Sequence, residues 1–215
     1  MRIIRGKYKA RCVPAPTNFK ARPTTDFAKE GLFNILENVY VDFSSEPTAL
    51  DLFSGTGSIA LGLASRGCSK VVSVEQDFKH WQYLFKLQRL LQVKEWKPLR
   101  GDVFRYVRKC SDKFDIIFAD PPYALENLKD IPDAAMPLLA DGGLMILEHG
   151  KNYDFKDNPY YVPPIVFDQM DTLDQKKGAA QEFCRSHLYL AYKDGKPAGR
   201  VAAIINHKAN DKWGR

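Results

Sequence analysis

The sequence predicts a doubly wound α/β fold with a mostly parallel sheet. Between residues 47 and 150, β-branched apolar runs alternate with stretches of helical spacing, and acids and glycines gather where those runs end. At 215 residues and 45% hydrophobic content, the chain can bury one full core.

Each element has its own signal. "TALDLF" (48–53) is a short apolar run around one acid, and "GSIALGLASRG" (57–67) has helical spacing with a glycine stop. "KVVSVEQD" (70–77) is β-branched and ends in acids. "DFKHWQYLFKLQRLLQV" (77–93) reads as an amphipathic helix with Trp81, Leu84, Leu87, Leu90 and Leu91 turned inward. A short strand is expected near 97–100, a helix near 103–110, a strand over 114–119 and a helix near 131–139. "GGLMILEHG" (142–150) supplies the fifth strand.

Ahead of the sheet, "RPTTDFAKEGLFNIL" (22–36) reads as a helix capped by Thr25 or Asp26, with Phe27, Leu32, Phe33, Ile35 and Leu36 on its apolar face. Residues 157–187 lose the alternation. Two apolar runs around Lys-Asp-Gly-Lys-Pro then mark a hairpin near 187–207. The expected division is a domain over 1–156, with a basic arm over 1–25, and an atypical segment over 157–215.

Charge and composition narrow the function. The net charge is +6, and Arg2, Arg5, Lys7, Lys9, Arg11, Lys20 and Arg22 occupy residues 1–25 with no acid among them. Such an arm suits a phosphate backbone. No apolar run reaches the roughly 18 residues that cross a bilayer, and "MRIIRGKYKARCV" has no signal-peptide core. A cytoplasmic protein without membrane partners is expected. Cys12, Cys68, Cys110 and Cys184 form no CxxC pair, and His80, His149, His187 and His207 have no ligand spacing, so no metal is expected.

The chemistry gathers at the strand ends. In "DLFSGTGS" (51–58), Asp51 ends a strand, while Gly55 and Gly57 permit a tight turn into a helix N-terminus. Glu75 follows Gly57 by 18 residues, placed to accept ribose hydroxyls. A phosphate-binding fingerprint is expected to be incomplete, with Leu61 at its third small position. Asp51 would in any case repel a pyrophosphate. Those features favour a phosphate-free adenosine ligand with a positive centre, and S-adenosylmethionine fits. Asp102 in "GDVF" (101–104) is placed for the adenine amine, with Val103 or Phe104 against the ring.

Asp120-Pro121-Pro122-Tyr123 ends the fourth strand. The prolines stiffen the turn and lack N–H groups, which leaves the Asp120 carboxylate and the Pro121 carbonyl as acceptors for the two hydrogens of an exocyclic amine. Tyr123 offers a face for base stacking.

These residues resemble the class I, Rossmann-like S-adenosylmethionine-dependent methyltransferases of exocyclic amines, marked by (Asp/Asn)-Pro-Pro-(Tyr/Phe). "MRIIRGKYKAR", "RPTTDFAKEGLFNIL", "DLFSGTGSIALGLASRG", "VEQD" and "FADPPY" further resemble the RsmD-type 16S rRNA guanine-N2 methyltransferases over residues 1–156. The resemblance implies a monomer that methylates one guanine of 16S rRNA within an assembling 30S subunit. It implies cofactor contacts at Thr25, Asp51, Ser54, Gly55, Gly57, Glu75, Asp102, Val103 and Asp120. Target-base contacts are implied at Asp120, Pro121 and Tyr123. RNA contacts are implied at Arg22 and along the arm at Arg2, Arg5, Lys7, Lys9 and Arg11.

Residues 157–215 instead resemble the start of a GNAT-type acetyltransferase, as though a methyltransferase core were joined to a foreign tail. A class I methyltransferase sheet ordinarily ends in an antiparallel pair, strands six and seven, with seven inserted between five and six, and the hairpin near 187–207 is the candidate for that place. Two alternatives stand beside guanine methylation. One is adenine-N6 or cytosine-N4 methylation of DNA or RNA, and the other is an inactive chimera.

Overall fold

The structure is a computed structural model that describes residues 3–11, 13, 26–122, 124–149, 153, 155, 186–188, 191–193 and 196–205. Arg2, Arg22, Thr25 and Tyr123, and the side chains of Phe27 and Ile35, lie outside the described residues.

Five parallel strands form the centre: β1 (Thr48–Leu52), β2 (Lys70–Glu75), β3 (Trp96–Arg100), β4 (Phe114–Ala119) and β5 (Leu139–His149). Their order is β3-β2-β1-β4-β5, so the chain reverses direction of travel between β1 and β4. Ligands of open α/β sheets lie beyond the strand ends at such a reversal.

Helices α1 (Asp26–Ile35), α2 (Ser58–Arg66) and α3 (Phe78–Leu90) pack on one face, around Phe33, Leu36, Leu61, Leu84 and Trp96. Helices α4 (Val103–Lys109) and α5 (Ile131–Ala135) cover the other, around Leu50, Val72, Val107, Ile117 and Leu138. Successive strand residues alternate between the two clusters, which is the period-2 pattern of a sheet covered on both sides.

The departures from expectation have local causes. α1 runs on as a π-helical turn over Leu36–Tyr40. The expected helix near 131–139 is only α5 followed by a 3-10 turn over Met136–Leu138, because Pro137 cannot donate the next helical hydrogen bond. β5 starts earlier than expected, with a register shift against β4 between Phe114 and Ile116. Leu90 is 67% exposed rather than inward. It lies six residues past Leu84, a third of a turn off the stripe formed by Leu84, Leu87 and Leu91.

Trp81 is only half-buried. It packs between Phe78 and Phe85 with ring centroids 5.9 and 5.6 Å away.

The hairpin lies where β7 (Ala191–Lys193) turns into β8 (Lys196–Ile205). β8 lies between β5 and β6 (Ser186–Leu188) and covers the edge of β5. It runs parallel to β5 and antiparallel to β6, so an antiparallel pair closes the sheet with one member inserted beside β5, as expected for that place.

The basic arm is docked on α2. Lys7 N–H donates to the Ser65 carbonyl at 2.7 Å and Tyr8 N–H to Ser65 Oγ at 3.1 Å. Gly6 makes this approach possible. Its φ is +87°, and an added Cβ would stand 1.8 Å from the Ser65 carbonyl oxygen. Gly6→Ala is expected to detach the arm and cost about 3 kcal/mol from strain and overpacking. A urea melt with unchanged midpoint would contradict that docking.

Candidate active site

Four carboxylates share one end and one face of the sheet. Asp51 alternates with Leu50 and Leu52, and so projects to the side of Ala49, toward α2 and α3. Glu75 has the parity of Val71, Asp120 lies two residues past Phe118, and Glu148 two past Ile146, all on that same side. The register pairs Asp51 with Phe118 and Ala119 with Leu147. Asp120 and Glu148 therefore stand across from each other on adjacent strands, one step beyond the last β4–β5 pair.

The Gly-rich loop closes on two of these acids. Ser54 Oγ donates to Asp51 Oδ2 at 2.9 Å, and an N–H in the first turn of α2, that of Ala60, also reaches the Asp51 carboxylate. Glu75 takes Gly55 N–H on Oε2 and Asp77 N–H on Oε1, each at 2.8 Å. It thus ties the loop to the start of α3. Gly57 caps α2 with φ +71°, and an added Cβ would lie 2.6 Å from Leu84 Cδ2. Phe53 also has a positive φ, +61°. For a residue with a Cβ this is strained backbone, of the kind that gathers at ligand sites.

Leu61 requires a correction. Counted from Gly55, the third small position of the fingerprint is Ala60, which is fully buried, and Leu61 is an ordinary core residue. The glycine spacing is therefore complete and does not exclude a dinucleotide. The acids do. Burial, opposed by the hydrogen bonds from Ser54 and Ala60 and helped by the charges of Asp120 and Glu75, pushes the Asp51 carboxyl up to about 7. Asp120 is raised by burial, and Glu148 by burial and by Asp120. Among the described residues no Lys or Arg pairs with Asp51, Asp120 or Glu148. A pyrophosphate is repelled here, while a ligand with a sulfonium and an ammonium supplies the missing positive charge.

That imbalance has a pH signature. The folded Asp51 holds its proton to higher pH than the unfolded side chain, near 3.8, so the folded state binds more protons between pH 3.8 and about 7. The contribution of this group to the stability of the ligand-free protein is fully present below 3.8 and is lost as pH rises through 7. Asp51→Asn is expected to flatten that slope in melts taken across this window. An unchanged slope would show that Asp51 titrates normally.

The remaining expected residues are accounted for as follows. Asp102 caps α4 by accepting Arg105 N–H at 2.8 Å, and Val103 beside it is buried. Pro121 is buried, and Leu125 N–H donates to the Pro122 carbonyl at 2.9 Å, closing the turn. No hydrogen bond to the Asp120 carboxylate or the Pro121 carbonyl is made among the described residues. The arm cations are largely engaged within the chain. Arg5 pairs with Glu37, Lys7 with Glu95 at 3.4 Å, and Arg11 Nη1 donates to the Leu91 carbonyl at 2.7 Å, while Lys9 is exposed.

Glu148 was not among the expected site residues. In "GGLMILEHG" it looks like the polar end of a strand, and only the register reveals its neighbour. A separate cleft of about 720 Å³, lined by Arg5, Glu37, Tyr40, Phe43 and Arg66, lies at the N-terminal ends of the strands, away from these acids.

The family model described as conserved hypothetical protein 95 matches residues 1–165. The putative rRNA methyltransferase YlbH of Bacillus subtilis is 31% identical over 178 residues, covering 80% of this chain and 93% of YlbH. Ribosomal RNA small subunit methyltransferase D of Escherichia coli K12 is 31% identical over 143 residues, covering 66% of this chain and 68% of that protein.

Among solved structures, the putative methyltransferase yhhF of Escherichia coli aligns at a TM-score of 0.57 with 28% identity, covering 66% of this chain and 75% of that one. A hypothetical protein from Thermus thermophilus shares the fold at a TM-score of 0.64 with 24% identity, covering 77% of this chain and 93% of its own.

The expected acetyltransferase-like tail is not borne out. The family match crosses residue 157, and the YlbH alignment takes in four-fifths of the chain with almost the whole relative. With the Rossmann-like sheet, the Gly-rich loop and Asp-Pro-Pro in place, the chain belongs to the conserved hypothetical protein 95 family, the RsmD-type S-adenosylmethionine-dependent methyltransferases.

Proposed function

We propose that this chain transfers a methyl group from S-adenosylmethionine to the exocyclic N2 amine of a guanine in 16S rRNA, acting as a monomer in the cytoplasm on the assembling small subunit. The observation that carries this is the Asp120-Pro121 pair of acceptors, unpartnered among the described residues and placed beside the Gly-rich loop at the sheet reversal. The names of the relatives from Bacillus and Escherichia support an rRNA substrate.

The cofactor, when bound, supplies a methyl group on a positively charged sulfur. Asp51 and Ser54 would hold its amino-acid part, Glu75 its ribose, and Asp102 and Val103 its adenine, with Thr25 and the Gly55–Gly57 turn completing the contacts. Asp120 and the Pro121 carbonyl accept the two amine hydrogens and turn the nitrogen lone pair toward the methyl carbon, while Tyr123 stacks on the base. The cofactor would supply the methyl group to that lone pair with its sulfur as leaving group, keeping the carbon–sulfur electron pair, and Asp120 would accept the amine proton late. Alignment is the main contribution, and proton acceptance is secondary.

An RNA-facing surface beyond the arm supports the substrate. Phe78 and Phe85 are 46% and 37% exposed, and Arg100 and Arg89 lie 4.9 and 4.6 Å from their ring centroids. Residues 78–100 carry Lys79, Lys86, Arg89, Lys94, Lys97 and Arg100 against the single acid Glu95. Partly exposed aromatic rings layered with guanidinium groups suit contact with single-stranded bases. Replacing both Phe78 and Phe85 with Ala is expected to weaken rRNA binding about 10-fold or more, with cofactor affinity unchanged. Equal RNA affinity in a filter-binding titration would remove this surface from the interface.

To test the proposed function, labelled cofactor is offered with small ribosomal subunits lacking the modification, naked 16S rRNA and double-stranded DNA in parallel. Label is expected in the subunits. Preferential labelling of DNA would instead establish the adenine or cytosine alternative.

A further inference from the structure

Glu148 is a buried carboxylate for which the reaction outlined above has no use. It is 9% exposed, and it makes no hydrogen bond or ion pair among the described residues. Burying an unpaired acid costs free energy, so a site that keeps one is expected to use it. Its position is well defined. It follows Leu147, which pairs with Ala119, and so stands across from Asp120 on the neighbouring strand. Neighbouring strands lie about 4.8 Å apart, so the two side chains project side by side.

Beyond β5, Tyr153 and Phe155 pack on the other face of the sheet, against the cluster around Leu50 and Ile117. Tyr153 Oη donates to the Leu125 carbonyl at 3.3 Å, and His149 packs edge-on against Phe155 with centroids 4.9 Å apart. Glu148 therefore lies on the β5 side of Asp120, opposite Asp51 and the Gly-rich loop on the β1 side.

Two adjacent acceptors call for a ligand edge with adjacent donors. Guanine has one, because its ring N1–H stands next to its N2 amine. Adenine and cytosine do not, since the ring nitrogen beside their amine is an acceptor. We infer that Glu148 reads the target base by accepting guanine N1–H while Asp120 and the Pro121 carbonyl hold the N2 amine. Glu148 is thereby a specificity-determining residue, and it rests on the guanine assignment made above. Facing adenine N1 or cytosine N3, an ionised Glu148 would meet a lone pair and repel it. The Asp-Pro-Pro turn recognises an amine, and Glu148 recognises whose amine it is. The proximity of Asp120 raises the proton affinity of Glu148, and a donor from the base relieves that strain on the pair.

The probe is 2-aminopurine, which keeps the 2-amine and replaces N1–H with an acceptor. The nucleotide that the wild-type protein methylates in small subunits is mapped. 16S rRNA is then rebuilt by splinted ligation with guanine or 2-aminopurine at that position and assembled into subunits. Wild type is expected to prefer guanine by about 100-fold in kcat/KM, the range of one well-made hydrogen-bond contact to a base edge. In Glu148→Gln the side-chain amide can donate to the ring nitrogen, so the preference is expected to shrink to about 10-fold or less.

Cofactor affinity and melting temperature of Glu148→Gln, measured on the same preparation, show that the fold is intact. If that variant loses activity on both bases alike and keeps the wild-type ratio, Glu148 does not read N1 and the inference is overturned, with guanine methylation untouched. If the wild-type protein yields no N2-methylguanosine at all, the guanine assignment itself has failed and the inference falls with it.

Discussion

Asp120→Ala is expected to lower methyl transfer about 1000-fold while the protein still folds and still binds its cofactor. The magnitude combines lost alignment of the amine with the loss of a proton acceptor, worth roughly 10² to 10⁴ where general bases are removed. Survival of the fold follows from the electrostatics. The Asp120 carboxyl is desolvated and lies near two other raised acids, so removing it takes away a repulsion rather than an anchor. The backbone bond from Asp120 N–H to the Leu52 carbonyl is untouched by the substitution. Single-turnover kinetics on subunits, together with a melt, decide the matter. Substantial residual activity would mean that the amine is held elsewhere, and collapse of the melt would mean that Asp120 is structural.

Glu75→Ala is expected to act on the cofactor instead. Its two carboxylate oxygens accept Gly55 N–H and Asp77 N–H, so the side chain fixes the Gly-rich loop, and the proposed function has it hold the ribose as well. Hydrogen bonds to a charged group are worth about 1.5–3 kcal/mol each. Cofactor affinity is expected to fall about 100-fold or more, while kcat at saturating cofactor changes far less. Calorimetry on the variant checks this. An unchanged dissociation constant would show that the loop is held without Glu75 and that the ribose does not use it.

The sheet was legible because its strands are short, apolar and bounded by glycines and acids. The β1, α2, β2 and β4 signals each reduce to one run of period 2 or 3.6. What escaped had non-local causes. Leu90 counts as apolar between Leu87 and Leu91, but its angular position on the helix takes it off their stripe and toward solvent. Trp81 reads as core from its type, yet it joins Phe78 and Phe85 on a flank that only the position of β3 leaves open.

The arm cations read as free for RNA. Arg5, Lys7 and Arg11 meet Glu37, Glu95 and the Leu91 carbonyl, none of them near in sequence. At the site, Asp51, Glu75 and Asp120 were readable because each ends a strand beside a recognisable loop. Glu148 had no loop motif beside it and depended on the β4–β5 register.

The most direct measurement is transfer from methyl-labelled S-adenosylmethionine to small ribosomal subunits from a strain lacking guanine-N2 methylation, with the rRNA digested to nucleosides and the product identified by mass. Label recovered as N2-methylguanosine, and absent with Asp120→Ala, is the result expected from Asp120 and Pro121 holding the 2-amine of guanine. Label recovered as N6-methyladenosine or N4-methylcytidine, or no label from a protein that melts cooperatively and binds the cofactor, would contradict it.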